Sequence, residues 1–331
     1  MAGKPKQAEL PLRKSLMGTG AQTAASENRW WIYQRERFPV FAHGPLVLAF
    51  SASAVCFSHL LRRQQGIPIW SSFAVAFVTC FLFFLGLRIA DEFKDIEEDT
   101  KYRSYRPVPR GLVKLRELGW VGVGAAVIQV TLAITLAPRL CIVLLMGWLY
   151  LALMSREFFA REWLKVRPIT YLWTHMLIMP IVDLYATACD WVPAGWELPP
   201  SGLFWFLAAS FCNGVVIEIG RKIRAPADEE TGVQTYSVLW GRQIALSTWL
   251  GMMLATASCA TLAARRIGFT VPVVAATGTI FIIATVAGIY FLHAPRPGSG
   301  KRFELLAGIW TLVLYLSLGV IPLAWQLISK S

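Results

Sequence analysis

The sequence predicts an all-α, polytopic integral membrane protein with about nine transmembrane helices around a central cavity. Three observations lead there. Apolar residues recur in runs near 20 long, enough for a helix to cross about 30 Å of hydrocarbon. None of these runs alternates in the period-two manner of a half-buried strand. Lys and Arg gather on one side of the runs, the charge bias of a membrane protein.

Taken in order, residues 1–28 are polar and lack the apolar stretch of a secretory signal, so they read as a disordered cytosolic tail. Residues 29–43 open with "RWWIYQRERFPVF", aromatics mixed with arginines, which suits a short helix lying in the membrane interface. Residues 44–328 form one membrane domain. Its spans are expected near 44–61, 69–90, 117–137, 139–155, 169–190, 202–219, 243–264, 270–293 and 304–328. Counted on alternate sides of these spans, 25 Lys and Arg lie on the N-terminal side and six on the other, with Arg88 inside a span. The N-terminus and the connections on its side are therefore expected in the cytoplasm, and the C-terminus outside; in a bacterium the membrane would be the inner, plasma membrane.

The net charge of +12 is thus spent on topology, and nucleic acid is not an expected partner. Six cysteines lie scattered in apolar segments without pairwise spacing and read as small buried hydrophobes. The four histidines are equally dispersed, so zinc is not expected.

Two connections on the N-terminal side hold most of the acids. The first is "RIADEFKDIEEDTKYRSYRPVPRG", residues 88–111. If the second span continues past Asp91, then Asp91, Asp95 and Asp99 form a drifting stripe about 6 Å apart along the helix. Like charges so spaced cost a helix about 0.2–0.5 kcal/mol per pair. A divalent cation relieves that repulsion, and Mg²⁺ favours one or two carboxylates with waters and phosphate oxygens. A solvated acidic face, with Glu92, Glu97 and Glu98, is the plainer alternative.

The second is "NGVVIEIGRKIRAPADEETGVQTYSVLWG", residues 213–241. Glu218 closes a span, Arg221, Lys222 and Arg224 follow, and Asp228, Glu229 and Glu230 come next. Pro226 prevents one helix from running through, which puts Glu218 and Asp228 on different segments. Such a mixture can hold phosphate through its cations and metal through its anions; ordinary anchoring with compensating acids is the alternative. Asp183 lies within the fifth span, where an ionisable group usually faces a cavity or a partner, Arg88 being one choice.

Together the two stretches resemble the UbiA superfamily of intramembrane prenyltransferases, which includes membrane terpene cyclases. That family carries Asn-x3-Asp-x3-Asp after the second helix, then Arg-Pro-x-Pro-x-Gly, and a second acidic motif after the sixth of nine helices. Here Asp91 holds the Asn place, Asp95 and Asp99 the two Asp places, and Arg106-Pro107-Val108-Pro109-Arg110-Gly111 follows. The second motif departs. Gly232-Val233-Gln234-Thr235 and Asp228 fit it, but Arg224 stands at the first Asp position and the nearest upstream acid is Glu218. Lys165 and Arg167 fall roughly where the family places basic residues.

The resemblance implies an Mg²⁺-dependent enzyme of isoprenoid biosynthesis. Its partners would be a prenyl diphosphate donor, a small lipophilic acceptor and the lipid bilayer. Asp91, Asp95, Asp99 and Asp228 would hold metal, with Glu218 completing the site. Arg103, Arg106, Arg221, Lys222, Arg224 and Lys165 would grip diphosphate, and Asp183 would orient an acceptor. Aromatic faces such as Phe81, Phe83, Phe84, Tyr171, Trp173 and Tyr185 could line the cavity and steady an allylic cation. A UbiA-type terpene cyclase is the alternative, and a transporter or lipid-binding protein a third.

Overall fold

The structure, a computed structural model, describes residues 28–230 and 232–329. The tail expected over 1–28 lies, except for its last residue, outside the described residues. A short helix α1 (Arg29–Arg37) starts at Asn28, whose side chain accepts from the Trp30 N–H at 2.9 Å. The bundle follows as α2 (Val40–Leu61), α3 (Trp70–Lys94), α4 (Ile96–Tyr102), α5 (Leu115–Leu136), α6 (Leu140–Ser155) and α7 (Arg161–Lys165). It continues with α8 (Pro168–Met176), α9 (Ile178–Trp191), α10 (Leu203–Gly220), α11 (Tyr236–Trp240), α12 (Arg242–Arg266), α13 (Thr270–His293), α14 (Lys301–Leu318) and α15 (Val320–Ile328). No strand occurs among the described residues.

Among the described residues, eight helical segments are long and apolar enough to cross a membrane, counting α8–α9 and α14–α15 as one each. The expected span at 139–155 is present as α6 but has only 16 residues, about 24 Å, short of a full hydrocarbon thickness.

Both interrupted spans break where proline requires it. Pro180 and Pro322 lack an N–H, so the carbonyls of Met176 and Leu318, four residues earlier, lose their helical donors; α8 and α14 end on those two residues. Pro226 likewise ends in a single 3₁₀ turn (Pro226–Asp228), separating Glu218 on α10 from Asp228 as its position implies.

One core joins α2, α3, α6, α9 and α10 around Phe57, Leu140, Ala186 and Phe206. A second joins α10, α12, α13 and α14 around Trp249 and Trp310. A third, small one sits at the end of the bundle where the acidic row lies, around Tyr33, Ile89, Val113 and Leu118.

At the opposite end, Asp190 accepts from Ser58 Oγ at 2.6 Å and from Arg62 Nε and Nη2 at 3.0 and 2.7 Å. The pair is buried, so removing one partner strands a charge. Arg62→Ala is expected to cost about 3–5 kcal/mol, seen as a large drop in thermal midpoint in detergent. Arg62→Lys should recover only part of it, because an ammonium cannot reproduce the two-pronged contact.

Candidate active site

Helix α3 carries Arg88, Asp91 and Lys94 to the end of the bundle. The helical ladder continues across the break at Asp95: Asp95 N–H donates to Asp91 O at 2.9 Å, and Asp99 N–H to Asp95 O at 2.8 Å. The three aspartates therefore keep their stripe although α3 and α4 are separate helices.

Their side chains fare differently. Asp99 is buried and both its oxygens are engaged, one by Arg103 Nη1 at 3.0 Å and the other by Arg106 Nη1. Asp91 has only Arg88 Nη1, at 3.5 Å. The Asp95 carboxylate makes no hydrogen bond or ion pair among the described residues. Burial pushes the Asp95 carboxyl above its ordinary value; Lys94 opposes this, while Asp91 and Asp99 add to it.

The second acidic stretch meets this row from α10. Glu218 is held by Arg221 Nε at 2.8 Å and Lys222 Nζ at 2.7 Å. Glu218 chiefly, and Asp91 also, raise the Arg221 guanidinium against the effect of burial, so Arg221 feels the charge of both motifs. Arg224 Nη1 pairs with Glu230 at 3.1 Å, and both Asp228 oxygens accept the Gly298 N–H, at 2.9 and 2.8 Å. Asp228 thus ties its loop to the α13–α14 connection. At Gly232 (φ +82°) a Cβ would lie 2.7 Å from the Tyr102 ring, which shows how closely the second loop packs on α4.

Lys165 pairs with Glu162 at 3.4 Å and is not drawn into the cluster. Asp183 lies deep in the bundle, bonded by Tyr315 Oη at 2.6 Å rather than by Arg88; Tyr315 also reaches Ser210 at 3.2 Å. Phe83 and Tyr185 line a small gap with Thr79 and Val143, while Phe81 packs on Phe38 and Phe84 on Phe50.

Lys94, Glu157 and His175 escaped the sequence reading, and Tyr171 was expected only as a cavity-lining ring. Lys94 Nζ donates to Tyr171 Oη at 3.2 Å and lies 3.5 Å from Glu157, which a left-handed turn at Glu157–Phe159 directs inward. Tyr171 stacks on His175 with centroids 3.8 Å apart. Nothing in their spacing links these positions.

The UbiA prenyltransferase family profile matches residues 50–312. The chain belongs to that family. Two solved structures share the fold. One is the apo structure of a UbiA homologue from Aeropyrum pernix K1, at 14% identity and a TM-score of 0.62, covering 87% of this chain and 98% of that one. The other comes from work on a digeranylgeranylglyceryl phosphate synthase in membranes, at 14% identity and a TM-score of 0.57, covering 88% and 98%. No curated protein matches the sequence.

The UbiA resemblance brings Mg²⁺ with it, and the donors can be tested for fit. Among the described residues no group of three or more His, Cys, Asp or Glu is placed to enclose an ion. Mg²⁺ asks for less: one or two carboxylates, the rest of its shell being water and phosphate. Asp91 and Asp95 offer that pair, whereas Asp99, Glu218 and Asp228 have their oxygens engaged. The site fits an ion that arrives with a phosphate.

Proposed function

We propose that this chain is an Mg²⁺-dependent prenyltransferase that ionises an allylic polyprenyl diphosphate and passes the prenyl group to a lipophilic acceptor, an aromatic ring or quinone precursor. One observation carries the reading: Asp95, without a hydrogen bond or ion pair among the described residues, and Asp91, held by Arg88 at 3.5 Å, share the field of Lys94 and Arg221 at one end of an apolar bundle of the UbiA family.

Bound Mg²⁺ would be held by Asp91 and Asp95 and would neutralise charge on the leaving diphosphate. Arg88 and Arg221 supply guanidinium groups that match phosphate oxygens. Lys222 and Lys94 add charge behind them, and Arg103 and Arg106 brace the loop through Asp99. The apolar interior that α3, α9 and α10 share would keep water from the allylic cation. The charge bias of the connections puts this end in the cytoplasm.

The test uses membranes containing the protein, Mg²⁺ and C10, C15 or C20 prenyl diphosphates, with and without acceptors. Diphosphate release that requires an aromatic or quinone-precursor acceptor supports the reading. A cyclic hydrocarbon or alcohol formed without acceptor would make the chain a terpene cyclase instead. No release in either arm would overturn both.

A further inference from the structure

Helix α1 lies outside residues 50–312, yet it is built into the acidic end of the bundle. Ion pairs with three elements of the described residues fasten it. Arg29 makes a two-pronged contact with Glu117 of α5, at 3.1 and 2.8 Å. Glu36 accepts from Arg110 of the Arg-Pro loop at 2.9 Å. Arg37 pairs with Glu92, the residue after Asp91, and the two side chains are 10% and 1% exposed. Exposed pairs are worth at most about 1 kcal/mol, so Arg29 and Glu36 add little. The Arg37–Glu92 pair is different, because removing one partner of a buried pair strands the other's charge.

Tyr33 adds a second, independent observation. Its ring is buried with Ile89, Val108, Val113 and Leu118, and its hydroxyl has no hydrogen-bond partner among the described residues. Glu92, Arg37, Arg88 and Asp91 are the charged groups that act on it. Arg88 Nε is also buried and unpartnered. A buried polar atom left unmade usually has a reason, often a ligand still to come. Arg88 pairs with Asp91 at 3.5 Å, and Tyr33 packs on Ile89, the residue after Arg88.

We propose that α1 is a working part of the diphosphate site. Arg37 positions Glu92 and with it the Asp91 turn, and Tyr33 completes Arg88 when that guanidinium engages diphosphate. This rests on the functional reading above. Neither residue touches the reacting atoms; both are positioning residues, acting on ligand affinity through Arg88 and Asp91.

The experiment measures binding of inorganic diphosphate with Mg²⁺ to the full chain in nanodiscs by calorimetry, alongside thermal midpoints. Tyr33→Phe removes only the hydroxyl and keeps the packed ring. It is expected to weaken binding on the order of tenfold, the effect of one hydrogen bond to a charged group, without lowering the midpoint. Arg37→Gln should weaken binding at least as much, and Arg37→Lys should recover part of the loss. Glu36→Gln, which breaks an exposed pair, should bind like wild type. Binding by Tyr33→Phe and Arg37→Gln within twofold of wild type would make α1 a mere anchor and overturn the proposal. If wild type itself binds no Mg²⁺–diphosphate, the functional reading fails together with this one, a result distinguishable from variants that match a competent wild type.

Discussion

Asp95→Asn is expected to abolish Mg²⁺-dependent diphosphate release, by about 10²–10³-fold or more in kcat, while the thermal midpoint in detergent stays at or above that of wild type. The first half follows from commitment of partners. Asp95 is the one aspartate of the row whose carboxylate makes no hydrogen bond or ion pair among the described residues, and losing one preorganised charged group at such a site typically costs that much. Asparagine keeps the shape and removes the charge.

The second half follows from the same lack of a partner. Burial, first, then Asp91 and Asp99 raise the Asp95 carboxyl, with only Lys94 opposing. A carboxyl whose folded value is raised contributes stability below its unfolded value and loses it as pH rises through the folded one. At neutral pH the ionised group is therefore a net cost, which asparagine removes and Mg²⁺ would offset. Asp99→Asn should behave the opposite way: its charge is balanced by Arg103 and Arg106, so the fold loses stability. Kinetics and thermal midpoints on both variants check this. A large midpoint drop in Asp95→Asn, or retained turnover, would remove Asp95 from the metal role.

How far the sequence reached depends on which interactions are local. The breaks at Pro180 and Pro322 lay hidden inside apolar runs. The membrane spans were legible because each is a continuous apolar run, and the break at Pro226 because proline removes a donor four residues from a known carbonyl. The backbone stripe of Asp91, Asp95 and Asp99 was legible for the same reason. The commitment of side chains was not. Asp228 reaches Gly298 seventy residues away, and Lys94 reaches Tyr171 seventy-seven away. No spacing encodes such contacts. Arg37 and Tyr33 were hidden because an interfacial helix of aromatics and arginines satisfies a membrane anchor so well that a further role leaves no mark in composition. Asp183 could be flagged as costly at depth, but its partner Tyr315 lies on a span that carries no other signal.

Gly319→Ala should give the largest structural effect of any Gly→Ala change among the described residues. At the α14–α15 break, a Cβ on Gly319 would stand 2.2 Å from Ser53 O and 2.4 Å from Ser53 Cα on α2. Gly319 has φ −123°, open to any residue, so the requirement is space rather than conformation. Backbone meets backbone here, and no flexible side chain can turn aside. Ser51 and Ser53 are fully buried on the facing helix, the small-residue contact by which membrane helices approach closely. Overpacking of this kind costs about 1–3 kcal/mol where side chains can yield; with two backbones opposed, the cost should lie at or above the upper end. Gly308→Ala, on the same α14 with nothing within 4 Å of its Cβ, is the control and should be neutral or slightly stabilising. The difference reaches the interior. Tyr315, four residues before Gly319, holds Asp183 at 2.6 Å, so displacing α14 from α2 would strand a buried carboxylate as well. Folded yield and thermal midpoint of the two variants decide it: equal behaviour would mean that α14–α15 does not approach α2 this closely.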